Sequence, residues 1–251
     1  MMILAYIFIQ NLIIMVEADS TTFSDKDLHQ HQIWNNLIKQ FITDDGFVDY
    51  QGFKSKEHLL NQYLEIISTY PPTADWTRQE KIAYWINAYN AFTVKLIINH
   101  YGVQSIKDIH HQVYDSPWKI PFFKIGDDAF TLDKIEHEIL RKEIQEPYIH
   151  FALVCASFSC PHFRNEAYTA QHVKEQLDDQ ARIFINDPRK NKLDSTPLEV
   201  SSLFSWYWDD FATHFTDDSS FITWLNKYSK HPLNYPSSYT FMPYNCSLNG
   251  K

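Results

Sequence analysis

Residues 77–101 read TRQEKIAYWINAYNAFTVKLIINHY, the strongest helix signal in the chain. Thr77 and Glu80 have the spacing of a capping box, in which the Thr77 hydroxyl accepts an orphan backbone N–H and the Glu80 carboxylate reaches back. The box opens a long helix that the pattern ends before Gly102. Ile86, Ala88, Ala91 and Val94 give this segment an apolar background, and aromatic residues flank its two asparagines. Asn87 and Asn90 interrupt it. Asparagine is a poor residue for a helix interior, because its amide competes for backbone bonds. Three positions apart, the two share a face. Solvent exposure would account for them; burial, with the amides holding a neighbouring loop, is the preferred reading.

Outward from this helix the pattern predicts further elements. Asp25–Thr43 and Lys56–Ser68 read as amphipathic helices separated by a turn and a short extended piece. FFKIGDDAFTL (residues 122–132) reads as a hairpin around Gly126. Leu132–Lys142 is a helix, Ile149–Val154 a strand, and Thr169 caps a helix running to about Asn186. Two short helices follow, one in SSLFSWYWDDF (201–211) and one over Ser219–Ser229, and then an extended tail. The fold class predicted is α+β, with helices packed on an antiparallel sheet. The organisation predicted is a signal peptide over 1–18, an N-terminal helical region over 19–76, and a main domain over 77–249.

The leader assignment rests on an apolar run from Met1 to Val16 and a small-x-small triplet, Val16-Glu17-Ala18. Asn245-Cys246-Ser247 forms a glycosylation sequon. Together they predict a secreted protein with no stable membrane span once the leader is removed. The composition is that of a globular chain, 44% hydrophobic and 21% charged. Five glycines and no GxGxxG or GxxxxGK[ST] argue against a nucleotide site. The net charge of −9, with DPRKNK (187–192) as the longest basic cluster, argues against nucleic acid.

Two segments carry the candidate chemistry. LDKIEHEILR (132–141) contains Glu136 and His137, adjacent and therefore not on one helix face. The mixed charge fits a surface helix; the functional reading has Glu136 orient an imidazole or an amide. HFALVCASFSCPHFR (150–164) places Cys155, Cys160, His150, His162 and Arg164 close in sequence. Cys155 as a small buried hydrophobe, a Cys155–Cys160 or Cys160–Cys246 disulfide, a metal site and a thiolate nucleophile all compete. C-x4-C-x-H is not a usual zinc spacing, so neither metal nor cofactor is expected. A thiolate nucleophile needs partial exposure and a positive or N–H-rich surrounding, which His162 and Arg164 are placed to supply. With a regular strand, Cys155 is expected buried and Cys160 more accessible.

EKIAYWINAYNAFTVKLI, TLDKIEHEILR, IHFALVCASFSCPHFRNEAYTAQHVKEQLDDQARIFIND and SSLFSWYWDDF together resemble the domain of unknown function 547 family, from about Thr77 to Phe211. The family carries no settled activity. Its tail usually reads YDWSLN; here it is YNCSLN, so Cys246 stands where the family has an aromatic residue. The family is distantly similar in fold to the papain and transglutaminase group. The long helix here begins without a cysteine, which departs from a papain-type site.

The expectation is a secreted thiol-dependent hydrolase or acyl transferase acting on amide or ester bonds. Cys160 is the expected nucleophile, His150 the base and Glu136 the orienting group. Asn87, Asn90, Cys155, His137, His162 and Arg164 are the expected supporting or binding residues. The competing expectation is a non-catalytic module that binds a peptide or glycan. From charge alone, no shift of DNA or RNA is expected at physiological ionic strength, and a retarded band in a gel-shift assay at that salt contradicts the exclusion.

Overall fold

A computed structural model describes residues 25–233 and 238–250; the predicted leader lies outside them. Helix α1 spans Asp25–Gln30, α2 Gln32–Phe41, α3 Tyr50–Ser55 and α4 Glu57–Thr69. The long helix, α5, runs Arg78–Asn99 behind the capping box its sequence announces. Every residue from Ile82 to Val94 is buried, so α5 is the axis of the molecule. The predicted turn and extended piece are short, with Val48 bridged to Ile42 and Gly250, and α3 takes up the chain from Tyr50. Asp49 starts it by accepting the Gly52 N–H, and Gly52 lies where any side chain would strike Phe41.

The predicted hairpin forms, with β1 (Phe123–Ile125) antiparallel to β2 (Asp128–Phe130). Lys134–Ile144 is helical as expected, but wound as a π-helix. The predicted strand over Ile149–Val154 is a correction. Pro147–Phe151 forms a 3-10 turn instead, with Pro147 at its start and the Glu146 side chain accepting the Tyr148 N–H. Residues 149–152 are buried on all sides, so their apolar run lacks the alternation that separates strand from turn. Helix α6 covers Val173–Ile185; Thr169 does not cap it with its side chain, since His172 stands at that position. Then follow β3 (Leu198–Ser201), α7 (Ser202–Trp206), a 3-10 turn at Trp208–Phe211, α8 (Asp218–Tyr228) and β4 (Tyr239–Met242).

The fold is mixed helix and sheet, and the described residues hold two two-stranded sheets. The first, β1 with β2, is antiparallel and the second, β3 with β4, is parallel, so among the described residues the helices do not share one extended antiparallel sheet. Packing rests on two apolar clusters. One surrounds α5; the other gathers Phe184, Phe204 and Trp224 from α6, α7 and α8 with Phe151 and Phe211 from the two 3-10 turns. The turn at 147–151 lies at their seam, giving Ile149 to the first cluster and Phe151 to the second.

Asn87 and Asn90 fasten this seam. Asn90 donates to the Ala152 carbonyl at 3.0 Å and accepts the Val154 N–H at 2.9 Å. Asn87 donates to the Tyr168 carbonyl at 2.8 Å and accepts the Tyr168 N–H at 3.1 Å. Each amide thus fills two backbone valences of a non-repetitive segment that has no ladder of its own. The tail closes the other side: Ser247 accepts the Phe158 N–H, Asn245 accepts the Ser159 N–H, and Ala156 accepts the Asn249 N–H. Replacing Asn90 with Ala strands a buried carbonyl and a buried N–H, and is expected to cost about 1–3 kcal/mol in urea melts. A loss of only a few tenths contradicts the bracing role.

Candidate active site

A cavity of about 370 Å³ opens at the seam. Tyr89 comes to it from α5, Asp133, Glu136 and His137 from the π-helical segment, and His150 from the 3-10 turn. Cys155, Ser157 and Cys160 come from the loop after that turn, Trp206 and Tyr207 from α7 and its end, and Tyr244 and Cys246 from the tail. Adjacent Glu136 and His137 both line it, because a concave wall wraps around neighbouring positions of one helix.

His150 is a deeply buried polar group on the wall. Its side chain is 2% exposed, its ring stacks on Tyr207 at 3.7 Å, and Nε2 lies 2.6 Å from Asp210 Oδ2. Asp210 also accepts two hydrogen bonds from Arg141, at 2.5 and 2.9 Å. Arg141 donates in turn to His137 Nδ1 at 2.9 Å and lies over the Tyr207 ring. Burial lowers the His150 pKa below its ordinary value, and the Asp210 hydrogen bond only partly offsets this. Burial opposes ionisation of Asp210, but the hydrogen bonds from His150 and Arg141 outweigh it and hold the carboxyl well below the usual range. The pair is therefore neutral imidazole beside ionised carboxylate at neutral pH. Since the carboxylate only accepts, Nε2 carries the proton and Nδ1 is left as the ring's base.

Glu136 does not orient His150. It accepts the Tyr207 hydroxyl at 2.7 Å. Asp210 takes that orienting place, a residue the sequence reading missed. Its WYWDDF segment was visible as a motif, but nothing local marks which acid meets a histidine sixty residues upstream.

The cysteines are paired, as Cys155–Cys160. Exposure reverses the expectation: Cys160 is 2% exposed and Cys155 is half-buried, because residues 149–155 do not keep strand alternation. Cys160 Sγ accepts the Cys155 N–H at 3.0 Å. The Tyr244 hydroxyl lies 3.2 Å from Cys155 Sγ and 3.3 Å from Cys160 Sγ. Between the cavity residues Cys155 and Ser157, Ala156 is buried at φ 64°, a left-handed conformation that costs a residue with a Cβ roughly 1–3 kcal/mol. Lys190, whose pKa burial lowers to about 8, donates to the Phe158 carbonyl and braces the same loop. Cys246 is a free thiol on the cavity wall.

His162 and Arg164 are not brought to the cysteines. His162 donates from Nε2 to the Asp44 carbonyl, and Arg164 is held by Glu166 and Asp179. Asn87 and Asn90 support the wall without lining it. Among the described residues no cluster of three or more His, Cys, Asp or Glu is arranged to hold a metal ion, and no helix is long and apolar enough to cross a membrane.

The run from Tyr89 through the cysteine loop is where a family pattern falls. Residues 73–185 match the family described as Protein of unknown function, DUF547. The DUF547 match holds α5, the π-helical segment, His150 and both paired cysteines, and stops before Asp210, Tyr207 and Tyr244. No curated protein and no solved structure matches the chain.

Acidification is expected to weaken the fold in two windows. His150 stays neutral in the fold while the unfolded chain binds a proton, so stability falls as pH drops through about 6.5. Asp210, depressed in the fold, contributes stability above its ordinary value of 3.8 that is lost as pH falls below it. Titration of His150 by NMR is expected to give a midpoint below 6.5, lower still in Asp210→Asn, because the hydrogen bond that raises it is weakened. A midpoint at or above 6.5 contradicts the assignment.

Proposed function

We propose that this cavity is the active site of a thiol-dependent hydrolase or acyl transferase that acts on an amide or ester bond when the Cys155–Cys160 pair is reduced. One observation carries the reading: a buried imidazole held by a carboxylate at 2.6 Å shares a cavity wall with two cysteines. A nucleophile needs a base whose ring is fixed and whose basic nitrogen is uncommitted. His150 meets both needs, with Nε2 bound to Asp210 and Nδ1 left as base. Cys155 takes the nucleophile's role in place of Cys160, because it is the sulfur that solvent reaches. In the step proposed, the thiol proton passes to His150 Nδ1, the sulfur attacks the substrate carbonyl, and the imidazolium returns the proton to the leaving amine or alcohol. Water or a second nucleophile then releases the acyl group. The residue types match the papain and transglutaminase group, but their order along the chain, His150, Cys155, Asp210, is different. Secretion belongs to the same proposal, since an oxidising compartment favours the closed pair.

A second reading has its own support. The pair is closed, and Trp206 stands 56% exposed at the rim, its ring 4.7 Å from that of Tyr244. A closed disulfide beneath an aromatic rim suits a module that binds a peptide or glycan without cutting it.

Turnover of activated esters and thioesters, with and without prior reduction, separates the two. Reduced protein is expected to turn over and to label with a mild thiol electrophile. Cys155→Ser is expected to abolish turnover while Cys160 and Cys246 remain free to label, and His150→Ala to slow turnover by about 10²–10⁴-fold. Reduced protein no faster than Cys155→Ser removes the hydrolase reading in favour of the binding module.

A further inference from the structure

The two sulfurs of the cavity disulfide stand in unlike surroundings. Cys155 is half-buried on the cavity wall, whereas Cys160 is 2% exposed. Cys160 Sγ accepts the Cys155 backbone N–H at 3.0 Å, and the Tyr244 hydroxyl lies between the two sulfurs, 3.2 Å from Cys155 Sγ and 3.3 Å from Cys160 Sγ. That hydroxyl stays protonated at any ordinary pH because burial raises its pKa, so it serves as a donor to sulfur. The tail fixes it there: the Asn245 N–H is accepted by Ser159 Oγ, and the Asn245 carbonyl accepts the Ser159 N–H.

Thiol–disulfide exchange is displacement at sulfur. It is fastest when the attacked sulfur is reachable and the departing sulfur leaves as a stabilised thiolate. Hydrogen bonds to the charged form are what stabilise it. Here the reachable sulfur is Cys155, the backbone N–H is directed at Cys160 alone, and the Tyr244 hydroxyl is within reach of whichever sulfur becomes the thiolate.

We infer that Cys155–Cys160 is an exchange site for low-molecular-weight thiols, with Cys155 the sulfur attacked and Cys160 the leaving group. An entering thiolate forms a bond to Cys155 Sγ as the Cys155–Cys160 bond breaks. The electron pair departs on Cys160 Sγ, where the Cys155 N–H and the Tyr244 O–H receive it. A second thiolate attacks the small thiol's own sulfur in the mixed disulfide, giving the small-molecule disulfide and the Cys155 thiolate. In sum the protein disulfide is reduced by two electrons and two small thiols are oxidised to one disulfide. The cavity of about 370 Å³ gives room for a thiol of tripeptide size or less to approach Cys155. The inference uses the proposed active site but not its acyl chemistry; it makes that site open to control by the thiol pool.

The test uses the full chain with Cys246→Ser, which leaves the pair as its sole cysteines. The protein is exposed briefly to glutathione, quenched in acid, alkylated and mapped by mass spectrometry. The expected product carries glutathione on Cys155 and the alkyl group on Cys160. Glutathione on Cys160 overturns the inference. So does reduction that proceeds only at the rate of global unfolding, read from its dependence on urea. Tyr244→Phe is expected to slow reduction roughly fivefold by removing a donor from the leaving sulfur. The adduct map stands without that variant should it fold poorly. Protein that forms the Cys155 adduct yet turns over no ester keeps the exchange site and sinks only the hydrolase.

Discussion

The rest of the structure hangs on the Asn90 amide. It sits in the middle of a helix whose neighbours are apolar, and it binds the backbone at Ala152 and Val154. Those residues separate His150 from Cys155. A hydrogen-bonded side chain in a buried helix therefore sets the distance between the imidazole and the sulfurs, a task that a sheet ladder performs in many other folds. The demand is strict because a buried amide left half-bonded is destabilising. Asn87 repeats the device at Tyr168, where the chain turns toward α6.

The long helix and its cap were legible because their signals are local. Thr77 and Glu80 are three residues apart, and α5 fills the span they announce. The hairpin at Gly126 was legible for the same reason. Ile149–Val154 was not. An apolar run buried on every side has no polar face to reveal its period, and Pro147 acts here as the first residue of a turn. The candidate site was partly legible: His150, Glu136, His137, Cys155 and Cys160 share one cavity. Their roles depend on partners that sequence proximity hides. Asp210 lies sixty residues from His150, Tyr244 more than eighty from Cys160, and the nearby His162 and Arg164 turn toward other groups.

Electrostatics and packing agree at this site. His150 is kept neutral by burial, Asp210 is kept ionised by two donors, and Arg141 balances the carboxylate while resting on Tyr207. The backbone bears a cost at the same place, since Ala156 holds a left-handed conformation between two cavity residues. Strain of this kind persists only where surrounding bonds overdetermine it, and the Asn249 N–H on the Ala156 carbonyl is one of those bonds.

The tail has a further consequence for how the molecule divides. Residues 244–248 alternate inward and outward, which sends Tyr244 and Cys246 to the cavity and leaves Asn245 and Ser247 outside. The wall is thus shared between the family-matched span and a segment some sixty residues beyond its end. A fragment cut at residue 185 keeps the imidazole and both paired sulfurs but loses the carboxylate, the stacked tyrosine and the hydroxyl over the disulfide. The complete site therefore takes in more of the chain than the span that homology outlines, and boundaries drawn from the match alone divide one site between two pieces.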